Sequence, residues 1–408
     1  MDIITHILRN KASKNVKRLR KFVLTYMINL VNFRLRKLAA PDDLSRIREG
    51  DIMGKIRVGI IGTGFTVGIA NAHIGGYKNI PECELTALYD LVPGRAKEFA
   101  EKNNANIPAY DDFNRFLEAV DAVSICTHNS AHTDMMEKCF AAGKHVICEK
   151  PLTATLADAD NALALEKKYQ GLVGMVVFNY REKPGIAQIK AMLDEGKLGK
   201  VFLFRYILGG NRIGNAKGVK LEWRMQKDLS GSGALADFGC HMLELADYLA
   251  GSSAGKISHV GCFAETFITQ RADVKTGQPG AVTNDDTAVI IAKTEGGCLC
   301  SLTTSRLAVP HESIEICGEG GTISHILQTG TLTAHLKEHN GPFTSRPEVI
   351  DIDQKYNNNA GHTGVLREFI NCILTGEKPV RSLEHGHYIQ RVLDALERSI
   401  ETNSMIEV

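Results

Sequence analysis

The chain reads as an α/β protein in which a parallel, doubly wound sheet is followed by an α/β domain with an open, mainly antiparallel sheet. Three observations predict it. From Lys55 to Cys148 short β-branched runs alternate with helical stretches, the rhythm of βαβ units. The first of these runs ends in a glycine turn, Gly62-Thr63-Gly64. From about Val201 to Thr333 several strands follow one another at glycine turns, such as Gly318-Glu319-Gly320-Gly321, with no helix between them. At 408 residues the chain is too long for one compact core. The change of rhythm divides it into a basic extension over 1–53, a first domain over 54–175 and a second over 176–408. The last helices are expected to pack back on the first domain.

Apolar residues make up 44% of the chain and charged ones 23%, as in a soluble globular protein. A net charge of +1 conceals an asymmetry: residues 1–53 carry 12 Lys/Arg against 5 Asp/Glu, which leaves 36 against 42 in the rest. A mildly acidic body lacks the basic face that nucleic acid needs. The ten cysteines include no Cys-x-x-Cys pair. Cys298-x-Cys300 puts two thiols on one strand face, one residue short of a zinc hook. Reduced cysteines in a cytoplasmic protein, and no metal site, are therefore expected.

The amino-terminal arm stands outside the repeating pattern. From Lys11 to Lys37 it contains no acid, and its apolar stretch Phe22 to Phe33 is too short to span a bilayer. Arg34, Arg36 and Lys37 lie where a signal cleavage site would fall. Phe22, Tyr26, Leu30 and Phe33 share helical spacing, so residues 11–37 offer an amphipathic basic helix for an anionic membrane or an organelle-targeting peptide. The simpler reading takes Met53-Gly54-Lys55 as the natural start and the arm as a dispensable extension.

The run Ile56 to Ile61 forms the first strand. The strand, turn and helix that follow bring backbone N–H groups and a helix N-terminus to a pyrophosphate. Gly62 allows the tight turn and Gly64 the close approach of phosphates, whereas the third glycine is out of register, at Gly68 in place of Val67. The second strand, Glu84 to Tyr89, ends in Asp90, placed to bind the adenosine ribose hydroxyls and to repel a 2′-phosphate. NAD is thus preferred to NADP, although Arg95 follows closely, and Asp90 is equally suited to cap a helix. Ala122 to Cys126 is a buried strand whose loop runs Thr127-His128-Asn129-Ser130-Ala131-His132. Lys144 to Cys148 is the next, delivering Glu149-Lys150-Pro151. The proline forces the chain out of the sheet, leaving the Lys150 ammonium at the carboxyl edge where such folds place ligands.

Helices are expected near 155–170 and 185–196, with a strand from Gly171 to Tyr180 between them. Covering helices are expected over Val365 to Thr375 and His387 to Thr402. A further helix beginning near Gly233 would set Asp237 and His241 one turn apart on one face. A carboxylate so placed orients an imidazole and raises its basicity, or else the two form a satisfied structural pair.

Taken together, these residues resemble the Gfo/Idh/MocA family of nicotinamide-dependent oxidoreductases. The matching pieces are the glycine turn, Asp90, Thr127-His128-Asn129 with His132, Glu149-Lys150-Pro151, Asn179-Tyr180-Arg181, Trp223-Arg224 and Asp237-x-x-x-His241, in family order over 55–408. The resemblance implies a Rossmann domain and then an α/β domain whose open sheet forms a homodimer or homotetramer interface. It implies catalysis by Lys150, which hydrogen-bonds the reacting hydroxyl, His241, which accepts its proton, and Asp237, which holds substrate or orients His241. NAD would be bound by Gly62, Gly64, Phe65, Thr66, Val67 and Asp90 and by Thr127, His128, Asn129 and His132. Glu149, Lys150, Asn179 and Arg224 would complete that site. A sugar or cyclic polyol would face Lys150, Arg181, Asn211, Asp237, His241 and His362, with Arg212 beside them. The implied activity is hydride transfer between NAD and a secondary hydroxyl. The alternatives are an NAD-dependent glycosidase acting by transient oxidation and elimination, and a non-catalytic nucleotide or sugar sensor.

Overall fold

The computed structural model describes residues 54–64, 68–211, 219–274, 276–337 and 346–408. The arm, with its proposed helix at 11–37, therefore lies outside the described residues, as do Phe65, Thr66, Val67 and Arg212.

Six strands form the first sheet: β1 (Ile56–Ile61), β2 (Cys83–Tyr89), β3 (Ala109–Tyr110), β4 (Ala122–Ile125), β5 (His145–Cys148) and β6 (Gly174–Val176). Their order is β3-β2-β1-β4-β5-β6, and every pairing is parallel. The order reverses direction at β1, and the crevice there, at the carboxyl ends of β1 and β4, is where such sheets bind ligands. β4 and β5 are buried along their whole length, which explains their continuous apolar runs. Helices α1 (Ile69–Tyr77), α2 (Arg95–Lys102), α3 (Phe113–Glu118), α4 (His132–Ala141) and α5 (Leu156–Lys168) connect the strands.

The strand expected from Gly171 to Tyr180 is shorter than its sequence suggests. Only Gly174–Val176 pairs with β5, and the chain then winds into a 3₁₀ turn, Asn179–Glu182, before α6 (Pro184–Asp194). Pro184 opens α6, so the residues before it must turn rather than extend the sheet.

The second sheet comprises β7 (Val201–Gly209), β8 (Ile257–Glu265), β11 (Thr287–Thr294), β12 (Leu299–Ser305), β13 (His311–Gly318), β14 (Gly321–Ile326), β15 (Thr331–Leu336), β16 (Glu348–Val349) and β17 (Ile406–Glu407). The short pair β9 (Gln270–Ala272) and β10 (Pro279–Ala281) stands apart from it. The sheet is ordered β16-β15-β14-β13-β7-β12-β11-β8-β17, and only β7 and β12 run parallel. A short helix, α7 (Lys227–Ser230), precedes α8 (Cys240–Ala254), and the chain finishes with α9 (His362–Thr375) and α10 (Leu383–Thr402).

One face of this sheet carries Phe204, Tyr206, Ile290, Leu302 and Ile316, which pack into a core with Leu243 and Leu249 of α8 and Val392 and Leu396 of α10. Among the described residues no helix covers the other face. Phe263, Val289, Thr303 and Ile207 sit opposite one another across four strands, and the three apolar members of the row are exposed. Ile291 and Leu299 extend the patch.

The carboxyl-terminal part of the chain returns to the first sheet. Val365, Leu366, Phe369 and Ile370 of α9 share a buried cluster with Ile56, Val58, Tyr77, Ile147 and Met175. All ten cysteines are free, and nine are buried. Among the described residues no helix is long and apolar enough to cross a membrane.

Candidate active site

A cavity of about 330 Å³ opens at the carboxyl edge of the first sheet, against the start of α8. Thr127 and Asn129 reach it from the loop after β4, Glu149, Lys150 and Pro151 from β5, and Asn179 and Tyr180 from the turn after β6. Trp223, Arg224, Asp237, His241 and His362 close it from the second half of the chain.

The glycine turn is built as its composition requires. Gly62 has φ +95°, and a Cβ there would lie 2.6 Å from the Cys126 carbonyl carbon. A Cβ on Gly64 would meet nothing within 4 Å, so that glycine borders open space, as a phosphate cradle needs. Asp90 braces the turn: its Oδ2 accepts from the Thr63 N–H (2.7 Å) and hydroxyl (3.0 Å), while Oδ1 accepts from the Val92 N–H (2.9 Å). Arg95 pairs with the same carboxylate at 3.3 Å. Asp90 does not cap α2, whose N-cap is Gly94. The residues present thus fit a dinucleotide.

Lys150 lies beside Asp237. Its Nζ donates to the Asp237 carbonyl at 2.6 Å and to the Asp237 carboxylate at 2.9 Å. Asp237 sits in a single π-helical turn, Leu235–Gly239, ahead of α8, and such turns recur at functional sites. Burial disfavours both charges, but each outweighs it for the other: Lys150 is held above the ordinary lysine range and Asp237, with help from Arg224, below the carboxylate range. An ammonium has three donors, and two are committed here, leaving one for the cavity.

The Asp237 carboxylate does not orient His241, contrary to the expectation from spacing, because it is drawn to the ammonium of Lys150. The imidazole instead lies flat on Tyr180, with ring centroids 3.7 Å apart and planes 4° from parallel. Among the described residues its buried Nδ1 has no hydrogen-bond partner. Its basicity falls rather than rises, through burial first and then the positive charges of Lys150 and Lys183.

Glu149 is the end of a buried relay. His73 Nε2 lies 2.9 Å from Glu149 Oε1, His73 Nδ1 lies 3.1 Å from Ser124 Oγ, and that hydroxyl lies 2.8 Å from the Tyr77 hydroxyl. Burial keeps the His73 ring neutral. One orientation then satisfies every group: Tyr77 donates to Ser124, Ser124 to His73 Nδ1, and His73 Nε2–H to the carboxylate. His362 approaches the same oxygen at 3.6 Å, and Asn179 approaches its other nitrogen at 3.5 Å. Burial raises the Glu149 carboxyl, but the bonds from His362 and His73 outweigh that and hold it well below the usual range.

Four expected ligand residues lie elsewhere. Arg181 is buried with Glu244 and His385 beneath the turn, its guanidinium held by the Glu244 carboxylate away from the cavity. Asn211 is exposed beyond the end of β7 and does not line the cavity. His132 is wholly buried, its two ring nitrogens set against the carbonyls of Leu152 (3.1 Å) and Thr127 (3.3 Å), so it supports the loop from behind. His128 is half-buried and bonded to Ser130, also outside the cavity lining.

Other contributors were not singled out from sequence. Asp285 receives the N–H groups of Gly233 (2.5 Å) and Leu235 (2.9 Å) and so starts the π turn. Arg306, fully buried, donates to the carbonyls of Arg224 (2.9 Å) and Asp285 (2.7 Å). Asn129, already expected at the cofactor, also reaches across to the Ser230 carbonyl at 2.8 Å, tying the two halves together at the cavity. Asp285 precedes β11 and Arg306 follows β12, and their partners lie too far along the chain to be read from sequence.

The family model described as "Oxidoreductase family, NAD-binding Rossmann fold" matches residues 56–177, and that described as "GFO/IDH/MocA C-terminal domain" matches residues 186–324. Levoglucosan dehydrogenase of Pseudarthrobacter phenanthrenivorans is 30% identical over 66% of this chain and 73% of its own length. Myo-inositol 2-dehydrogenase of Thermotoga maritima is 27% identical over 86% of this chain and 98% of its own. A solved structure of levoglucosan dehydrogenase in complex with NADH and levoglucosan superposes with a TM-score of 0.76 at 25% identity, covering 87% of this chain and 99% of the other.

Proposed function

The chain belongs to the Gfo/Idh/MocA family of oxidoreductases, and from that membership and the cavity's chemistry we propose that it oxidises a secondary hydroxyl of a cyclic polyol or sugar. The observation that carries this reading is the convergence of a charged Lys150 and an uncharged, cavity-facing His241 at the carboxyl edge of the NAD-binding sheet. When bound, the nicotinamide supplies the hydride acceptor.

Lys150 stays an ammonium, so it is not the base. Its remaining N–H binds the substrate oxygen and stabilises the alkoxide character that develops as the carbon–hydrogen bond breaks. His241, with Nδ1 buried, directs Nε2 to the cavity and accepts the hydroxyl proton there. Asp237 keeps Lys150 placed and balances its charge. Glu149 and Asp237 on the wall are matched by Lys150 and Arg224, which suits an uncharged substrate rather than an acid or a phosphate.

The cofactor residues of this reading are Gly62, Gly64 and Asp90 on the glycine side, then Thr127, Asn129, Glu149, Lys150, Asn179 and Arg224 around the cavity. His362 faces the polyol beside Glu149. The uncovered face of the second sheet, centred on Phe263 and Ile291, pairs with a second copy of the chain.

A panel of sugars, inositols and anhydrosugars, supplied with NAD or NADP and followed by absorbance of the reduced cofactor, tests the reading. Stoichiometric NADH from a free polyol supports it. Turnover of glycosides alone, with no net NADH, replaces it with the hydrolytic alternative.

A further inference from the structure

His241 is held by a column of groups that extends well behind the cavity. Tyr180 lies flat against it at 3.7 Å, and Lys183 Nζ sits over the Tyr180 ring, 3.2 Å from its centroid. Two groups at those distances cannot share one face of the phenol, so the imidazole and the ammonium lie on opposite faces. Behind the ammonium, Glu312 on β13 takes Lys183 Nζ in both carboxylate oxygens, at 2.5 and 2.6 Å. The buried Tyr206 hydroxyl of β7 donates to the same carboxylate at 2.5 Å.

This arrangement runs against local preference. Lys183 is the N-cap of α6, where the helix dipole favours an anion and disfavours a cation. It is held there by Glu312, which lies 129 residues away on a strand of the other half of the molecule. A local rule broken with a specific compensation marks a position with a task.

We propose that Tyr180 and Lys183 are positioning residues for His241, the phenol fixing the plane of the imidazole and the ammonium behind it keeping the ring an uncharged base. The inference rests on the proton-accepting role proposed for His241. The charged and titratable groups facing that ring are Lys150 and Glu149 after β5, Asp237 in the π turn, and Tyr180 and Lys183 before α6. Of these, the two lysines oppose protonation and the two carboxylates favour it. Asp237 is paired with Lys150, Glu149 with its histidines and Lys183 with Glu312; the ammonium of that last pair is the end set against the Tyr180 ring, so the pair turns its positive end to the phenol and through it to the imidazole. The phenol itself remains protonated, since burial and the Glu312 charge push it above its ordinary range.

The experiment titrates the ring directly, without substrate. Histidine-labelled full-length protein is followed by NMR, with the His241 resonances assigned from their loss in His241→Asn. In the wild type the ring stays neutral through the ordinary histidine range near 6.5. In the paired variant Lys183→Met, Glu312→Gln, which removes both charges together, its midpoint rises by about one pH unit or more. Lys183→Arg restores the wild-type behaviour. Should the paired variant lose its native circular dichroism, Lys183→Gln with Glu312→Gln keeps a hydrogen bond between the two positions and shows the same rise. A folded, NAD-binding variant whose His241 resonances titrate as in the wild type overturns the inference. Because no turnover is measured, failure of the polyol reading leaves this result standing, and the reverse also holds.

Discussion

At the scale of single residues, the proposed function makes Lys150 the side chain on which the chemistry turns. Replacing it by methionine removes the alkoxide contact and the partner of Asp237 while leaving the glycine turn and Asp90 untouched. Turnover is expected to drop roughly 10²- to 10⁴-fold, with NAD binding measured by fluorescence nearly unchanged. Retained turnover would remove Lys150 from the mechanism. Lys150, Asp90 and the Gly62 turn were legible because each obeys a rule that acts over a few residues: a proline ending a strand, an acid closing one, a glycine at positive φ. Tyr180, Lys183 and Asp285 were not, because their partners come from strands and loops far along the chain, and no local periodicity records such a meeting. Arg181 misled for the related reason that its motif position is right while its side chain turns away to Glu244.

At the scale of elements, the π turn before α8 decides where Asp237 and His241 stand. Its start depends on Asp285, whose carboxylate takes the N–H groups of Gly233 and Leu235, and on the absence of a side chain at Gly233. A Cβ at Gly233 would fall 1.9 Å from the Asp285 carbonyl oxygen. Asp285→Ala strands two buried donors, and urea denaturation is expected to register a loss of roughly 2–3 kcal/mol. A loss below about 0.5 kcal/mol would mean that the turn does not rely on this cap. The alternation of strands and helices in the first sheet, and the serial strands of the second, followed from local sequence pattern. The shortened β6 and the π turn did not, since both answer to packing against residues remote in sequence.

At the scale of the whole molecule, buried histidines set its response to acid. His73, His132, His241 and His325 all have pKa values lowered by burial below the ordinary 6.5. Below that value the unfolded chain binds protons that the folded chain refuses, so stability rises with pH through this range and is lost on acidification. Glu149 and Asp237 behave differently: their depressed values keep their contribution until the pH falls beneath the carboxylate range. The melting temperature is therefore expected to fall as pH drops from about 7 to about 5, before Glu149 or Asp237 is protonated. A flat profile over that interval would contradict the neutral assignment of these rings. The uncovered sheet face gives a second prediction at this scale. Phe263→Asp together with Ile291→Asp places two charges on it, and light scattering after size exclusion should then report a monomer where the wild type gives a dimer or larger. A monomeric wild type would remove the pairing proposal.

The union of α9 with the first sheet bears on how the protein is made. The strands that bind NAD are synthesised before α9, yet their apolar layer of Ile56, Val58, Tyr77 and Met175 is covered by its Val365, Leu366 and Phe369. The nascent nucleotide-binding half thus waits, with a greasy flank exposed, for some two hundred residues of another architecture to be translated. Its independence as a fragment is forfeited for a cofactor pocket that closes only once α9 has been translated.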